Sequence, residues 1–184
     1  ALPDDHYSYD TDPILYLKTS ENVTEAHLNK AFLHAHPYIK KLSIIHPNAT
    51  ASILNSAISD KNQTFREAAA GNRNVTKGIL DKALNDEDKN VRMAAAGNSA
   101  ATKEHLDKAL GDNHYHVRMA AARNPAATKD NIDKALNDYD HNVREAAARN
   151  PSAKKEHLDK ALADLPNISF AAKRNPNYSK YFKN

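Results

Sequence analysis

The chain has no cysteine. Disulfides, thiolate nucleophiles, zinc–thiolate sites and iron–sulfur clusters are therefore excluded. Tryptophan is absent as well, and the four glycines, Gly71, Gly78, Gly97 and Gly111, each fall at a position of an internal repeat. That leaves no glycine-rich loop to cradle a phosphate. No apolar run is long enough to span a bilayer, and the opening ALPDDHYSYD lacks the basic-then-apolar pattern of a leader. The expectation is a soluble cytoplasmic protein without membrane contact, or a mature form whose leader has been removed. Excess charge is also missing: 26 Lys and Arg stand against 23 Asp and Glu, a formal net charge of +3. So mild a balance does not by itself imply nucleic acid. Ten histidines are present, but no HExxH motif accompanies them, and the close pairs His34/His36 and His114/His116 have no acidic cluster at metal-ligand spacing. No Ser-His-Asp order or nucleophile elbow is found. No enzyme, cofactor, metal or catalytic residue is expected.

What the chain has instead is one stretch written repeatedly. NVREAAARNPSAKKEHLDKAL (Asn142 to Leu162) falls, 26 residues earlier, on HVRMAAARNPAATKDNIDKAL (His116 to Leu136). Further steps meet NVRMAAAGNSAATKEHLDKAL (Asn90 to Leu110) and TFREAAAGNRNVTKGILDKAL (Thr64 to Leu84). A fixed period of this size is the signature of a solenoid. An asparagine marks the register at Asn72, Asn98, Asn124, Asn150 and, one residue early, Asn175. Six repeats follow, 21–46, 47–72, 73–98, 99–124, 125–150 and 151–175, between an N-terminal cap (1–20) and a C-terminal tail (176–184), as one continuous domain.

Each repeat predicts two short helices. Helix B starts at a capping threonine (Thr24, Thr50, Thr76, Thr102, Thr128, with Lys154 in the sixth place) and runs into LDKAL, where Leu106, Ala109 and Leu110 share a face. Helix A starts near Asn90, His116 or Asn142, and Thr64…Glu67 and Asn142…Glu145 have capping-box spacing. Its alanine triplet is a strong helix former and small enough for close packing. The Asn-Pro that follows ends it, because the residue before proline is driven out of the α region. Helices this short are marginal alone, so stacking is obligatory. The expected fold is all-α, an α-solenoid superhelix of short helix pairs.

The string D-x-x-x-x-V-R-x-A-A at Asp86…Arg92, Asp112…Arg118 and Asp138…Arg144 resembles the HEAT repeat. The compact period and the Asn-Pro turn before a Thr-capped helix are similar to the variant leucine-rich repeat, over about residues 21–176. The resemblance implies an Asp–Arg ladder inside the stack and a scaffold with no set partner. The cysteine-held iron–sulfur cluster known in that family has no ligands here. Lysine (Lys77, Lys103, Lys129) replaces the proline that often follows the capping threonine.

Candidate residues fall into repeating rows. Arg66, Arg92, Arg118 and Arg144 are assigned to a structural ladder with Asp60, Asp86, Asp112 and Asp138, six residues earlier, in the same or a neighbouring repeat. Asn72, Asn98, Asn124 and Asn150 are assigned to satisfying helix-end and turn backbone groups. Lys82, Lys108, Lys134 and Lys160 are expected to pair with acids four residues earlier, such as Glu104, Asp130 and Glu156. Two basic rows lack an acid N-terminal to them: Lys77, Lys103, Lys129 and Lys155 at the start of helix B, and Arg123, Arg149 and Arg174 at the end of helix A. Together they predict a positive edge beside the Asn-Pro turns. The helix-B row His27, Ile53, Ile79, His105, Asn131, His157 varies while its surroundings stay fixed, which marks His105, Asn131 and His157 as partner-facing candidates. The tail sets Tyr178, Tyr181 and Phe182 among Lys180 and Lys183, which suits first a cap over the last repeat and, as the alternative, a basic-aromatic end that contacts a partner or the acidic end of another copy.

These rows predict a non-enzymatic scaffold that binds a macromolecular partner, first of all a protein. The main alternative is a nucleic-acid module gripping phosphates along the basic edge, and a further one is a HEAT-like DNA-repair enzyme. The oligomeric state is left open, with a monomer among the options.

Overall fold

A computed structural model describes residues 8–182, so the part of the expected N-terminal cap at 1–7 and the tail residue Lys183 lie outside the described residues. Among the described residues there are fourteen helices and no strand. They divide into two compact parts, 8–83 and 84–182.

The first part holds α1 (Pro13–Thr19), α2 (Glu25–Phe32), α3 (Pro37–Ile45), α4 (Ala51–Ala57), α5 (Gln63–Gly71) and α6 (Lys77–Ala83). Asp12 caps α1, accepting from Leu15 N at 2.9 Å, and Pro13 occupies the first turn, where no N–H is needed. α3 packs against α1, α2, α4 and α5. The second part holds α7 (Lys89–Gly97), α8 (Lys103–Ala109), α9 (Tyr115–Arg123), α10 (Lys129–Ala135), α11 (His141–Ala148), α12 (Lys155–Leu162), α13 (Pro166–Lys173) and α14 (Tyr178–Phe182). Here the A helices α7, α9, α11 and α13 pack successively on one another, with α8, α10 and α12 alongside.

The core repeats as the sequence does. Ala95, Ala96, Ala121, Ala122, Ala146, Ala147, Ala171 and Ala172 are all buried. A methyl group at each contact lets helix axes come close without voids, so burial is achieved by backbone approach more than by large side chains. The larger filler is one helix-B row, Leu28, Leu54, Leu80, Leu106, Ile132 and Leu158, every member fully buried.

The A helices begin earlier than Asn90 and Asn142. Their caps are Asn62, Asp88, His114 and Asp140, each accepting from the backbone N–H two residues on. A side-chain acceptor at those positions satisfies a first-turn donor, so the helix nucleates there, two residues ahead of the box read at Thr64 and Asn142. The tail forms α14 against α12, its Tyr178 and Phe182 rings stacked at 4.8 Å and Lys155 Nζ 4.9 Å from the Phe182 ring centre.

Candidate partner-binding surface

The loops joining each helix B to the next helix A are fixed by arginine. Arg92 Nη1 donates to the backbone carbonyls of Asp86 (2.9 Å) and Glu87 (3.0 Å). Its Nε and Nη2 reach forward to the Asp112 carboxylate at 2.7 and 3.1 Å. Arg118 clamps Asp112 O and Asn113 O and holds Asp138. Arg144 clamps Asp138 O and Tyr139 O and holds Asp164. In the first part Arg66 Nη1 binds Asp60 O and Lys61 O. The aspartate six residues before each of these arginines thus supplies a carbonyl, and in the second part the carboxylate partner stands 20 residues ahead, in the following repeat. Asp112 and Asp138 also accept from the N–H two residues on, His114 N at 2.8 Å and Asp140 N at 2.9 Å, while Asp164 accepts from the adjacent Leu165 N at 2.7 Å. Burial tends to raise the Asp112 carboxyl, but the Arg92 guanidinium and the His114 N–H overcome it and hold the group below the usual range.

Two members of this ladder carried no signal in the arginine spacing. Asp164 completes it at Arg144, and Lys40, at the arginine position of the first repeat, pairs with Asp60 at 2.7 Å. Ser169 stands at the next arginine position.

The asparagine row crosses between repeats. Asn124 Nδ2 donates to Ala96 O (2.8 Å) and Asn98 O (2.9 Å), while its Oδ1 accepts from Ala126 N (2.9 Å). Asn150 and Asn175 do the same one and two repeats later. In the first part Asn72 binds Ile44 O and His46 O. Asn98 is buried and accepts from Ala100 N.

The helix-B row expected to face a partner is buried instead: His105 is 2% exposed, Asn131 0% and His157 1%. Each side chain turns back to accept the N–H of its own cap residue: His105 Nδ1 from Thr102, Asn131 Oδ1 from Thr128 and His157 Nδ1 from Lys154. In Asn131 and His157 the other end looks across to the preceding repeat. Asn131 Nδ2 donates to Asp107 Oδ1 at 2.7 Å, and His157 Nε2 lies 3.3 Å from Asp133 Oδ1. Exchange of histidine for asparagine there follows from both side chains being able to bridge the same two groups. Ile53 and Ile79, buried in the same row, were the signal in the sequence that this face is interior.

Burial lowers the pKa of His157, the nearby Asp133 opposing. Its Nδ1 must be unprotonated to accept from Lys154, so the folded chain holds the neutral ring. A depressed histidine contributes stability above its unfolded value of about 6.5, lost as pH falls from there toward the folded value. Substituting His157→Asn, the residue of the preceding repeat, should leave stability at pH 7.5 within about 1 kcal/mol of wild type. It should also flatten the decline between pH 6.5 and 5. Thermal melts across that range test this, and a parallel decline in both proteins would refute it.

The basic edge is largely neutralised. Lys103, Lys129 and Lys155 each lie 2.8 Å from the carboxylate four residues later, Asp107, Asp133 and Asp159. Lys103 and Lys129 also approach Asp130 (3.7 Å) and Glu156 (3.6 Å) of the following repeat. Arg149 pairs with Glu145, and Arg174 sits over the Phe170 ring. The three lysines and Arg149 are not the uncompensated cations expected: the lysines' partners lie four residues later or one repeat away, and Arg149's lies four residues earlier in its own helix. Lys77 and Arg123 are exposed with no acidic partner among the described residues. The lysine row Lys82, Lys108, Lys160 was expected to pair with acids four residues before, and it reaches Ser59, Asn85 and Asn137 of the preceding repeat instead.

What remains outward is the row directly after the ladder aspartates: Lys61 in the first part; Glu87, Asn113, Tyr139 and Leu165 in the second. Tyr139 is 81% exposed, and one ring face rests on Arg118, whose guanidinium carbon lies 4.4 Å from the ring centre. Leu165 and Phe170 are exposed as well. Next to Asn113, the rings of His114, Tyr115 and His116 form a stack. Between the 111–113 and 137–139 loops lies an open groove of about 680 Å³, lined by Gly111, Asp112, Asn113, Arg118, Lys134 and Tyr139 among others. Glu87, Asn113, Tyr139 and Leu165 are loop residues that the sequence pattern does not single out. No group of three or more His, Cys, Asp or Glu that could hold a metal ion occurs among the described residues, and no helix there is long and apolar enough to cross a membrane.

No protein-family model and no curated protein matches the chain. Among solved structures it is similar to one described as a leucine-rich repeat variant with a novel repetitive protein structural motif. The match has a TM-score of 0.61 at 15% identity and covers 92% of this chain and 76% of that one. The α-solenoid repeat fold is shared, and at that identity the likeness concerns fold alone.

Proposed function

We propose that the chain is a non-enzymatic helical-repeat scaffold that binds a protein partner through the helix-B-to-helix-A loops of its second part. The observation that carries this is a row of differing exposed side chains on an identical, pinned backbone. Glu87, Asn113 and Tyr139 each have their own carbonyl held by an arginine while the side chain points out. Fixing the backbone before association lowers the ordering cost of binding. Variation in the side chains then sets specificity without disturbing the stack. The surface of the second part favours protein over nucleic acid: its exposed large apolar side chains are Tyr139 and Leu165 of the row and Phe170 on α13, and aromatic anchors are enriched in protein interfaces. Phosphate binding would need uncompensated cations in a line, whereas Lys103, Lys129, Lys155 and Arg149 are each paired.

Affinity capture from host extract treated with nuclease, using the wild-type chain and a Tyr139→Ser/Leu165→Ser variant, tests the reading. A specific protein should be retained by wild type and weakened at least about 30-fold in the variant, the effect of losing an interface anchor. Capture that nuclease abolishes and that Arg123→Glu weakens, with the double variant unaffected, would instead establish the nucleic-acid reading.

A further inference from the structure

The groove beside Tyr139 exists because one repeat contact is missing. In three repeats the lysine near the end of helix B reaches a side-chain oxygen of the preceding loop: Lys82 to Ser59 Oγ, Lys108 to Asn85 Oδ1 and Lys160 to Asn137 Oδ1. Lys134 is the fourth, and at its loop position stands Gly111. With no side chain to meet, the Lys134 ammonium falls back on a neutral carbonyl, Asp107 O, at 2.9 Å. The backbone does not demand glycine there. No glycine among the described residues has positive φ; a Cβ added at Gly111 would meet the Lys108 carbonyl oxygen at 3.3 Å, a tight contact that a small shift of the turn must relieve. Asn137, which carries a Cβ, makes the same turn hydrogen bond to Lys134 O that Gly111 makes to Lys108 O. Gly111 therefore leaves a lysine without its acceptor and opens the space in front of it.

Resting on the reading above, we infer that this groove is the seat for an aspartate or glutamate side chain of the protein partner, whose carboxylate takes the place at Lys134 that Asn85 and Asn137 fill for Lys108 and Lys160. Charge supports an anion of one unit. Among the groove's lining, Asp138 is bound by Arg118, and Asp112 is bound by Arg92 from behind, which leaves Lys134 as the cation with no acidic partner among the described residues. A dianionic phosphate would meet the two aspartates at close range and be repelled. A carboxylate needs one ammonium and gains a charge-assisted bond. Two flanking groups suit a peptide around that anchor. Asn113 accepts from Arg92 Nη2 through Oδ1, which leaves its amide N–H groups to donate to a partner carbonyl. The Tyr139 face opposite Arg118 is open to an apolar or aromatic neighbour of the acidic residue.

The test is a selection from a random-sequence peptide library displayed on phage, against the immobilised full chain. Selected sequences are then measured as C-terminally amidated synthetic peptides. Enrichment of Asp or Glu beside an aromatic or aliphatic residue is expected. Binding should weaken roughly tenfold or more with Gly111→Asn, which restores the missing acceptor and fills the groove, and similarly with Lys134→Gln. Replacing the peptide's acidic residue by its amide should have the same effect, and thermal melts of both variants should match wild type. Peptides without acidic enrichment, or acidic ones that bind both variants equally, would overturn the groove assignment. If those peptides still depend on Tyr139, the loop-row reading stands without it. No selectable peptide at all also overturns the groove assignment, while the capture experiment decides the broader reading independently.

Discussion

Asn124→Ala should lower stability by about 3–4 kcal/mol, among the largest effects of any single substitution in residues 84–182. The amide side chain is buried and makes three hydrogen bonds, two to carbonyls of the preceding repeat and one from Ala126 N. Alanine leaves Ala96 O and Asn98 O without this donor in a buried site, where a group left unsatisfied costs about 1–3 kcal/mol, and it removes the part-buried acceptor of Ala126 N as well. Asn124→Asp should be no better. One oxygen keeps the turn with Ala126, but the other then faces the carbonyls of Ala96 and Asn98, replacing two attractions by repulsion between acceptors. Urea unfolding followed by circular dichroism should move the midpoint down by more than about 1 M for both variants. A shift within error for Asn124→Asp would show that the bonds to Ala96 and Asn98 are dispensable. The first part contains a related case: His46, at the head of this row, uses Nδ1 to accept from Asn48 N and so performs only the turn half of the task.

How far such roles can be read from sequence depends on whether an interaction is local. The Thr caps and the LDKAL face involve neighbours within one helix turn, and each gives a helix where the pattern puts one. Contacts between repeats are different, because the partner lies 20 to 28 residues away and any repeat position could supply it. The spacing leaves open whether Arg92 pairs within its own repeat or with a neighbour, and only the structure selects Asp112 of the following repeat. Lys108 was matched with Glu104, yet its ammonium bonds Asn85. His105, Asn131 and His157 misled for another reason. Variability was read as exposure, when the interior slot asks only for one acceptor toward the cap and one group toward the preceding repeat, which histidine and asparagine both provide. Gly111 was counted among the regular positions of the repeat; its importance lies in the one lysine it fails to meet.

Arg118→Met carries the second large expected effect, about 3–5 kcal/mol, since it strands the Asp138 carboxylate in a site where the two side chains are 4% and 7% exposed. Adding Asp138→Asn should recover part of that loss by removing the orphaned charge. Full recovery is not expected, because Arg118 also binds Asp112 O and Asn113 O, and methionine offers no donor for either carbonyl. Arg118→Lys should fall between. Lys40 shows the limit of a lysine at this position: its ammonium meets Asp60 at 2.7 Å, at 23% and 22% side-chain exposure, with the Phe32 and Phe65 rings nearby. One ammonium cannot reproduce a planar fork that holds a carboxylate with two nitrogens and two carbonyls with a third. The double variant should therefore regain thermal stability while amide exchange at Asn113, His114 and Tyr115 stays faster than in wild type. Exchange restored to the wild-type rate would mean that the carboxylate alone orders the loop, and that the arginine's hold on the backbone contributes nothing to presenting the exposed row.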